Sequence, residues 1–316
     1  QLSNNCPLNC PFCFMTFTGG KEMGMRQLKE YLDELYYLGC KSITYGQCEP
    51  MVYSRIIEAV SIAKEHGFRV NIVTSGAGCN YNKLRRLKEL EIDGFHISIN
   101  SFDKSLNSKS RNGYEQAINA MKIANSVGIP FKLNYVAQKD TISSFDEYIK
   151  TADNMGAIGI CVLREKVNNV GVSKEYTYDT LYRLSDFIQR SSLPIDIEEC
   201  FCELRILMGK REMSDLQGCA AGRTMMAISV DGEFLPCSHL YSKSEEFPTI
   251  KDYWDKSDYI RRIRNVRMVG EPCEKCIHIS KCNPCQALYQ DEREAIYTNR
   301  QNCVIYDNDN QPLQVL

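Results

Sequence analysis

Apolar and polar residues alternate along residues 41–165 in two repeating patterns. Short runs rich in β-branched and aromatic residues predict strands, and the stretches between them, whose apolar residues recur every three to four positions, predict amphipathic helices. The five predicted strands are Lys41–Gly46, Phe68–Gly76, Gly94–Asn100, Phe131–Ala137 and Gly159–Glu165. A further strand, first in chain order, is predicted to run into Cys6.

This alternation of strand and helix predicts right-handed βαβ units on a parallel sheet. Six units are fewer than the eight of a closed barrel, so we expect an α/β fold with an open, partial (β/α)6 barrel over residues 1–195. Ligands of such folds bind at the carboxyl ends of the strands. The segment Cys6–Cys13 follows the first predicted strand and therefore belongs at that edge.

The pattern changes near Pro194. After a predicted helix at Thr177–Arg190, the chain has short strand-like pieces, little helix and nine of its sixteen cysteines. The Asp231-Gly232 pair in "AISVDGEFL" predicts a hairpin turn. These features predict a second, metal-organised domain over residues 196–316.

Composition narrows the class of protein. Hydrophobic residues make up 43% and charged residues 25% of the 316, as in folded globular proteins. The formal net charge of -2 provides no basic field for nucleic acid or acidic lipid. No apolar run is long enough for a bilayer, and the first residues lack the regions of a signal peptide. We therefore expect a cytoplasmic protein with neither a nucleic-acid nor a membrane partner.

Clustered cysteines carry the chemistry of this chain. In a reducing compartment, cysteines in clusters bind metal more often than they form disulfides. "CPLNCPFC" holds three of them, at Cys6, Cys10 and Cys13. Three thiolates on one loop can bind three irons of a [4Fe–4S] cube and leave the fourth iron open to a ligand, whereas an electron-transfer cluster takes four cysteines. The scattered cysteines are typical of small buried residues: Cys40, Cys48, Cys79 and Cys161.

The spacing of Cys6, Cys10 and Cys13, with aromatic Phe12 beside the last, resembles the signature of radical S-adenosylmethionine (SAM) enzymes. The resemblance implies that the open iron binds SAM near Phe12. It also implies that an electron from a donor such as flavodoxin or ferredoxin cleaves SAM to a 5'-deoxyadenosyl radical, which abstracts hydrogen.

Further matches to this family lie at later strand ends. "YGQCEP" is similar to the family's GGEP turn, which holds the methionine amino group of SAM; Gly46, Glu49 and Pro50 match, and Cys48 stands where glycine is usual. Four polar positions would contact SAM: Ser98, Asn100, Asn134 and Arg164. Solvation of strand ends is the alternative role for these four residues.

The last third resembles the seven-cysteine SPASM domain, which binds two auxiliary [4Fe–4S] clusters. Twelve residues separate Cys219 from Gly232, and four separate Gly232 from Cys237. The segment "CEKCIHISKCNPC" and then Cys303 follow later in the chain. The only departure is that two residues, not three, separate Cys282 and Cys285. The resemblance thus implies a radical SAM barrel followed by a SPASM domain.

Carried over by position, the resemblance implies two ligand sets. The outer cluster would bind Cys273, Cys276, Cys282 and Cys303. The inner cluster would bind Cys219, Cys237 and Cys285. Cys200 or Cys202 would supply its fourth ligand, or that iron is open to substrate. Structural zinc is the alternative, because paired CxxC units also suit tetrahedral zinc sites.

For function, the resemblance implies oxidative modification of a ribosomally made peptide or protein side chain, with a thioether or carbon–carbon crosslink as the favoured product. A separate leader-binding protein is one way to deliver the peptide. Ser238 stands where sulfatase-maturing relatives carry aspartate, which argues against that activity, and His239 is the candidate catalytic acid or base. The alternatives are a radical dehydrogenase or epimerase of a small molecule such as a sugar alcohol, an iron–sulfur electron carrier, and a zinc-structured binding protein.

Overall fold

The structure is a computed structural model that describes residues 1–15, 19–166, 176–209, 218–240 and 245–265. It also describes seven separate residues of the carboxyl-terminal part: Lys275, Cys276, His278, Cys282, Cys285, Ala287 and Ile305. Two of the predicted ligands, Cys273 and Cys303, lie outside the described residues.

Six parallel strands form one open sheet. They are β1 Ser42–Tyr45, β2 Arg69–Thr74, β3 Gly94–Ser98, β4 Lys132–Ala137, β5 Gly159–Arg164 and β6 Ile195–Ile197. Their order in space is their order in the chain, with β1 and β6 at the two edges. Because all neighbouring pairs are parallel, the carboxyl ends of all six strands meet at one edge of the sheet. The predicted α/β class with six parallel strands is confirmed.

The identity of one strand differs from the prediction. The segment before Cys6 is not a strand, because Ser3 forms only an isolated bridge with Glu22. The sixth strand is instead β6, which pairs with β5 from Ile195 onward. Three residues with a central aspartate are too short to reveal a strand by alternation. β6 crosses the predicted boundary at residue 195, and the division into two domains stays a prediction.

Helices connect the strands and cover the sheet. They are α1 Met25–Tyr37, α2 Ile56–Glu65, α3 Tyr81–Glu89, α4 Lys104–Ser108, α5 Tyr114–Val127, α6 Lys139–Ile142, α7 Phe145–Asn154, α8 Tyr178–Gln189, α9 Cys202–Leu207, α10 Ile250–Lys256 and α11 Asp258–Arg264, with a 3-10 turn at Pro50–Val52. Each longer helix buries one apolar stripe; α3, for example, buries Leu84 and Leu87 and is capped at its amino end by Asn80, whose side chain accepts from the Lys83 N–H.

Two groups of buried residues form the interior. The larger one combines strand residues such as Ile72, Phe95 and Leu133 with the inner faces of the helices. The smaller one contains four cysteines with Ala221, Leu240, Tyr259, Ile263 and Ala287. Burial of apolar surface stabilises the first group, whereas the second is rich in thiols that can bind metal. Among the described residues, no helix has the length and apolar character needed to cross a membrane.

The predicted hairpin near Asp231 is confirmed. Strands β7 Ala227–Ile228 and β8 Phe234–Leu235 pair antiparallel. Gly232 occupies the turn with a φ of 88°, a conformation that glycine adopts at little cost. The hairpin carries Leu235 into the interior, two residues before Cys237.

Candidate active site

A cavity of about 970 Å³ is lined by residues at the carboxyl ends of the strands and extends to Ser42 and Arg69 at the amino ends of β1 and β2. The three cysteines of the amino-terminal loop line it, together with residues at the ends of five strands: Gly46, Ser75, Ser98, Val136 and Arg164. Residues of the carboxyl-terminal part also line it, including Met225, His239 and Trp254. The fold thus unites at one site residues that are far apart in the chain.

The segment after α4 holds the cysteine loop in place. Within the loop, the Cys13 N–H donates to the Cys10 carbonyl oxygen at 3.0 Å. The Phe12 N–H approaches the Ser110 carbonyl oxygen at 3.5 Å, and the Asn112 side chain donates to the Asn9 carbonyl oxygen at 2.6 Å. These bonds fix the loop from outside, as a rigid cluster site requires.

The loop thiols are partly buried and suited to metal. Burial raises the pKa of Cys6 to about 12 and raises that of Cys13 as well. A coordinated metal offsets such a cost, because its charge stabilises the thiolate. Within the described ranges, no three His, Cys, Asp or Glu side chains are arranged to hold a single metal ion. In an iron–sulfur cube each cysteine binds its own iron, so the thiolates need not converge on one point.

The turn after β1 has an uncommon backbone. Gln47 and Cys48 have φ values of 60° and 47°, in the left-handed region where non-glycine residues cost about 1–2 kcal/mol. Cys48 therefore adopts a glycine-like conformation at the position where the GGEP turn carries glycine. Its thiol accepts from the Gln1 side chain at 3.2 Å, and it lines the cavity with Gly46.

Glu49 and Pro50 support this turn from behind and do not line the cavity. Glu49 is 1% exposed, and its carboxylate accepts from the Met51 N–H at 2.9 Å and the Thr74 hydroxyl at 2.6 Å. It also accepts from the N–H of Ser75 at 2.7 Å and from the Ser75 hydroxyl. Burial raises the pKa of Glu49, and these bonds oppose the rise. The geometry makes Glu49 a brace between the turn and the end of β2.

The four predicted polar positions divide into two groups. Ser98, Asn134 and Arg164 line the cavity. Arg164 Nη2 also donates to Glu203 Oε1 at 3.1 Å, and its guanidinium lies over the Tyr176 ring.

Asn100 does not line the cavity. Its Nδ2 donates to Ser110 Oγ at 3.0 Å, and its Oδ1 accepts from the Val136 N–H at 3.2 Å. Asn100 therefore joins the end of β3 to β4 and to the segment that holds the cysteine loop.

Arg111 is a cavity residue that sequence reasoning missed. Its guanidinium carbon lies 4.9 Å from the centre of the Phe12 ring. Burial lowers its pKa, while Cys10 and Cys13 act in the opposite direction. Its Nε is buried and has no hydrogen-bond partner within the described part of the chain. "NSKSRNG" is typical of a polar loop, so only the fold reveals this cation beside the loop cysteines.

The inner group of cysteines consists of Cys200, Cys219, Cys237 and Cys285, which are buried together. A hydrogen bond between Cys200 and Cys285 raises the pKa of the first thiol and lowers that of the second to about 7. Of the two candidates for the fourth position, Cys200 is the one found in this group. Cys202 is the first residue of α9, and its thiol lies 3.9 Å from the Glu199 carbonyl oxygen. The predicted outer ligands Cys276 and Cys282 are half-buried.

His239 lines the cavity and packs beside the end of the cysteine loop. Its ring centre lies 3.8 Å from that of Phe14, and its Nδ1 lies 3.1 Å from Ser238 Oγ. Burial and the charge of Lys166 lower its pKa well below the usual value, which favours the neutral imidazole. His239, the predicted catalytic candidate, thus lies on the cavity, and its catalytic role stays a prediction.

Sequence comparison relates the chain to proteins of known class. Residues 1–152 match the family model of the Radical SAM superfamily. The chain is 26% identical over 303 residues to the PqqA peptide cyclase of Granulibacter bethesdensis, an alignment that covers 87% of this chain and 78% of that protein.

Solved structures share the fold over nearly the whole chain. SuiB of Streptococcus suis bound to S-adenosylmethionine superposes with a TM-score of 0.80 at 20% identity, over 95% of this chain and 75% of SuiB. SuiB bound to its precursor peptide SuiA superposes with a TM-score of 0.79 at 19% identity, over 96% of this chain and 74% of SuiB. The structure of anSMEcpe with bound AdoMet and the Cp18Cys peptide superposes with a TM-score of 0.72 at 16% identity, over 94% of this chain and 91% of anSMEcpe.

Proposed function

We propose that this chain, whose residues 1–152 match the Radical SAM superfamily model, is a radical SAM enzyme that oxidatively crosslinks a ribosomally made peptide. The observation that carries the proposal is the cavity, which three loop cysteines and residues of the carboxyl-terminal part line together. Two relatives support a peptide substrate: the PqqA peptide cyclase by its name, and SuiB by its complex with a precursor peptide. A small-molecule dehydrogenase or epimerase remains the alternative.

The residues on the cavity wall fit SAM and its cluster. Cys6, Cys10 and Cys13 would bind three irons, and the backbone of the Gly46–Cys48 turn would approach the methionine amino group. Arg111, a half-buried cation whose buried Nε has no hydrogen-bond partner among the described residues, would pair with the methionine carboxylate. When bound, the cluster and SAM supply the 5'-deoxyadenosyl radical.

The carboxyl-terminal cysteines fit auxiliary clusters. Four buried thiols, Cys200, Cys219, Cys237 and Cys285, would complete an inner [4Fe–4S] cluster with no iron left open. Cys276 and Cys282, with Cys273 and Cys303, would hold an outer one. Because four thiols would ligate all four irons, the inner cluster is better suited to taking up electrons than to binding the substrate directly.

A crosslink removes two hydrogens from the peptide. One leaves as an atom that becomes part of 5'-deoxyadenosine, and the other leaves as a proton, so one electron must pass from the peptide to an acceptor. The inner cysteines are buried, and Ser238 and His239, which follow Cys237, line the cavity. The inner cysteines would therefore place such an acceptor within the protein. SAM cleavage itself needs a reductant, for which flavodoxin or ferredoxin is proposed, and a separate leader-binding protein would deliver the peptide.

The test combines SAM cleavage with peptide mass. Anaerobically reconstituted enzyme, SAM, dithionite and candidate precursor peptides should release 5'-deoxyadenosine and give a peptide lighter by two hydrogens. The C6A/C10A/C13A variant should do neither. Deuterium uptake from D2O without the loss of two hydrogens would indicate epimerisation instead. An intact enzyme that never cleaves SAM would overturn the assignment.

A further inference from the structure

Lys166 is a largely buried cation that forms an ion pair with Glu198, two residues before Cys200. It follows β5 by two residues, lines the cavity and has an 11% exposed side chain. Its Nζ lies 2.5 Å from Glu198 Oε1. Burial opposes its charge, but Glu198, Cys200 and Cys285 outweigh that effect and raise the pKa of Lys166. The ammonium group therefore stays protonated.

Glu198 ties this cation to the segment that carries Cys200. Its second oxygen, Oε2, accepts from the Arg164 N–H at 3.0 Å. The Glu198 N–H donates to the Val162 carbonyl oxygen at 2.9 Å, and the Phe201 N–H donates to the Glu198 carbonyl oxygen at 2.9 Å. The ion pair is thus anchored to the end of β5 on one side and to the chain around Cys200 on the other.

The ion pair places the lysine charge near the inner group. Glu198 is two residues from Cys200, and Cys200 is buried together with Cys219, Cys237 and Cys285. Lys166 therefore adds a positive charge, and Glu198 an opposing negative charge, beside the segment that carries Cys200.

We propose that Lys166 tunes the reduction potential of the inner auxiliary cluster upward; this rests on the inner cluster of the proposed function. A cluster gains one negative charge when it takes up one electron, and a fixed cation in a poorly solvated site stabilises that added charge. Lys166 is accordingly a positioning residue: it acts through the cluster and makes the cluster a better electron acceptor.

The test measures the potential directly. Full-length protein carrying C6A/C10A/C13A, reconstituted anaerobically, is titrated with dithionite and followed by EPR. K166M should make reduction of the inner cluster about tenfold less favourable, which equals a shift of about 59 mV to lower potential for one electron. K166R should restore the potential, and E198Q should raise it, because it removes the opposing charge.

K132M is the matched control. Lys132 forms a similar ion pair with Asp196, at 2.6 Å, on the same sheet but away from the cavity wall. Its removal should leave the potential unchanged.

Opposite shifts in K166M and E198Q support electrostatic tuning, because a purely structural ion pair would respond alike to the loss of either partner. Equal potentials, or shifts of the same sign, overturn the proposal. If K166M does not load iron, the reduction potential of E198Q decides: a higher potential supports the proposal, and an unchanged potential overturns it. If the parent protein holds no inner cluster, iron analysis shows this before the titration, and the proposal fails together with that part of the proposed function. SAM cleavage by the intact chain is scored separately.

Discussion

The amino-terminal cysteine loop and the inner group of cysteines place the same side chain in two different environments. The loop cysteines are half-buried, lie within eight residues of sequence and line an open cavity. The inner cysteines are buried and come from positions between 200 and 285. Three thiols on a cavity wall leave an iron open for a ligand, whereas four buried thiols close a cluster. Under the proposed function, this difference would separate binding of a ligand at the loop from uptake of an electron at the inner group.

Removing a loop cysteine should have the largest effect on activity. C10A should abolish SAM cleavage, because the remaining two thiols cannot hold the cluster that binds SAM. Formation of 5'-deoxyadenosine, measured by chromatography, should fall to background. C161A is the control, since Cys161 does not line the cavity. Equal loss in both variants would contradict the special role of the loop.

Substitution in the inner group should separate SAM cleavage from peptide modification. C200A should lose the iron of one cluster and the crosslinked product while it still forms 5'-deoxyadenosine. C202A, only two residues away, should keep its full iron content. Iron and sulfide analysis with peptide mass spectrometry measures both. Iron loss in C202A alone would assign the fourth position to Cys202 instead.

Arg111 should determine SAM affinity more than it determines stability. A charge-assisted hydrogen bond contributes about 1.5–3 kcal/mol, so R111M should weaken SAM binding roughly tenfold to a hundredfold. R111K keeps the charge and should recover part of the affinity. Isothermal titration of reconstituted protein with SAM measures the effect. Unchanged affinity in R111M would mean that the carboxylate binds elsewhere.

The smallest expected effect concerns the strained turn. C48G should relieve about 1–2 kcal/mol of left-handed strain, offset by about 0.5–1 kcal/mol for the greater freedom of glycine in the unfolded chain. The net result should be a slight rise in Tm with SAM cleavage retained. C79G is the control: Cys79 is not among the described residues with positive φ, and its substitution should lower Tm. A marked fall in Tm for C48G would show that the thiol itself supports the turn.

The sequence alone determined whatever depends on local spacing. The cysteine loop, the Asp231-Gly232 hairpin and five of the six strands could all be predicted, because turn chemistry and apolar periodicity act over a few residues. The site residues on the strands could be predicted only by position. Ser98 and Asn134 reach the cavity, while Asn100 and Glu49 are used to brace it.

Only the tertiary structure decided which distant residues meet. β6 is recognisable by its pairing with β5, Arg111 by its contact with Phe12, and Cys200 by its hydrogen bond with Cys285. The ion pair between Lys166 and Glu198 likewise joins residues brought together by adjacent strands. Such contacts depend on how strands and loops pack across the molecule, and no local pattern of polar and apolar residues encodes that packing.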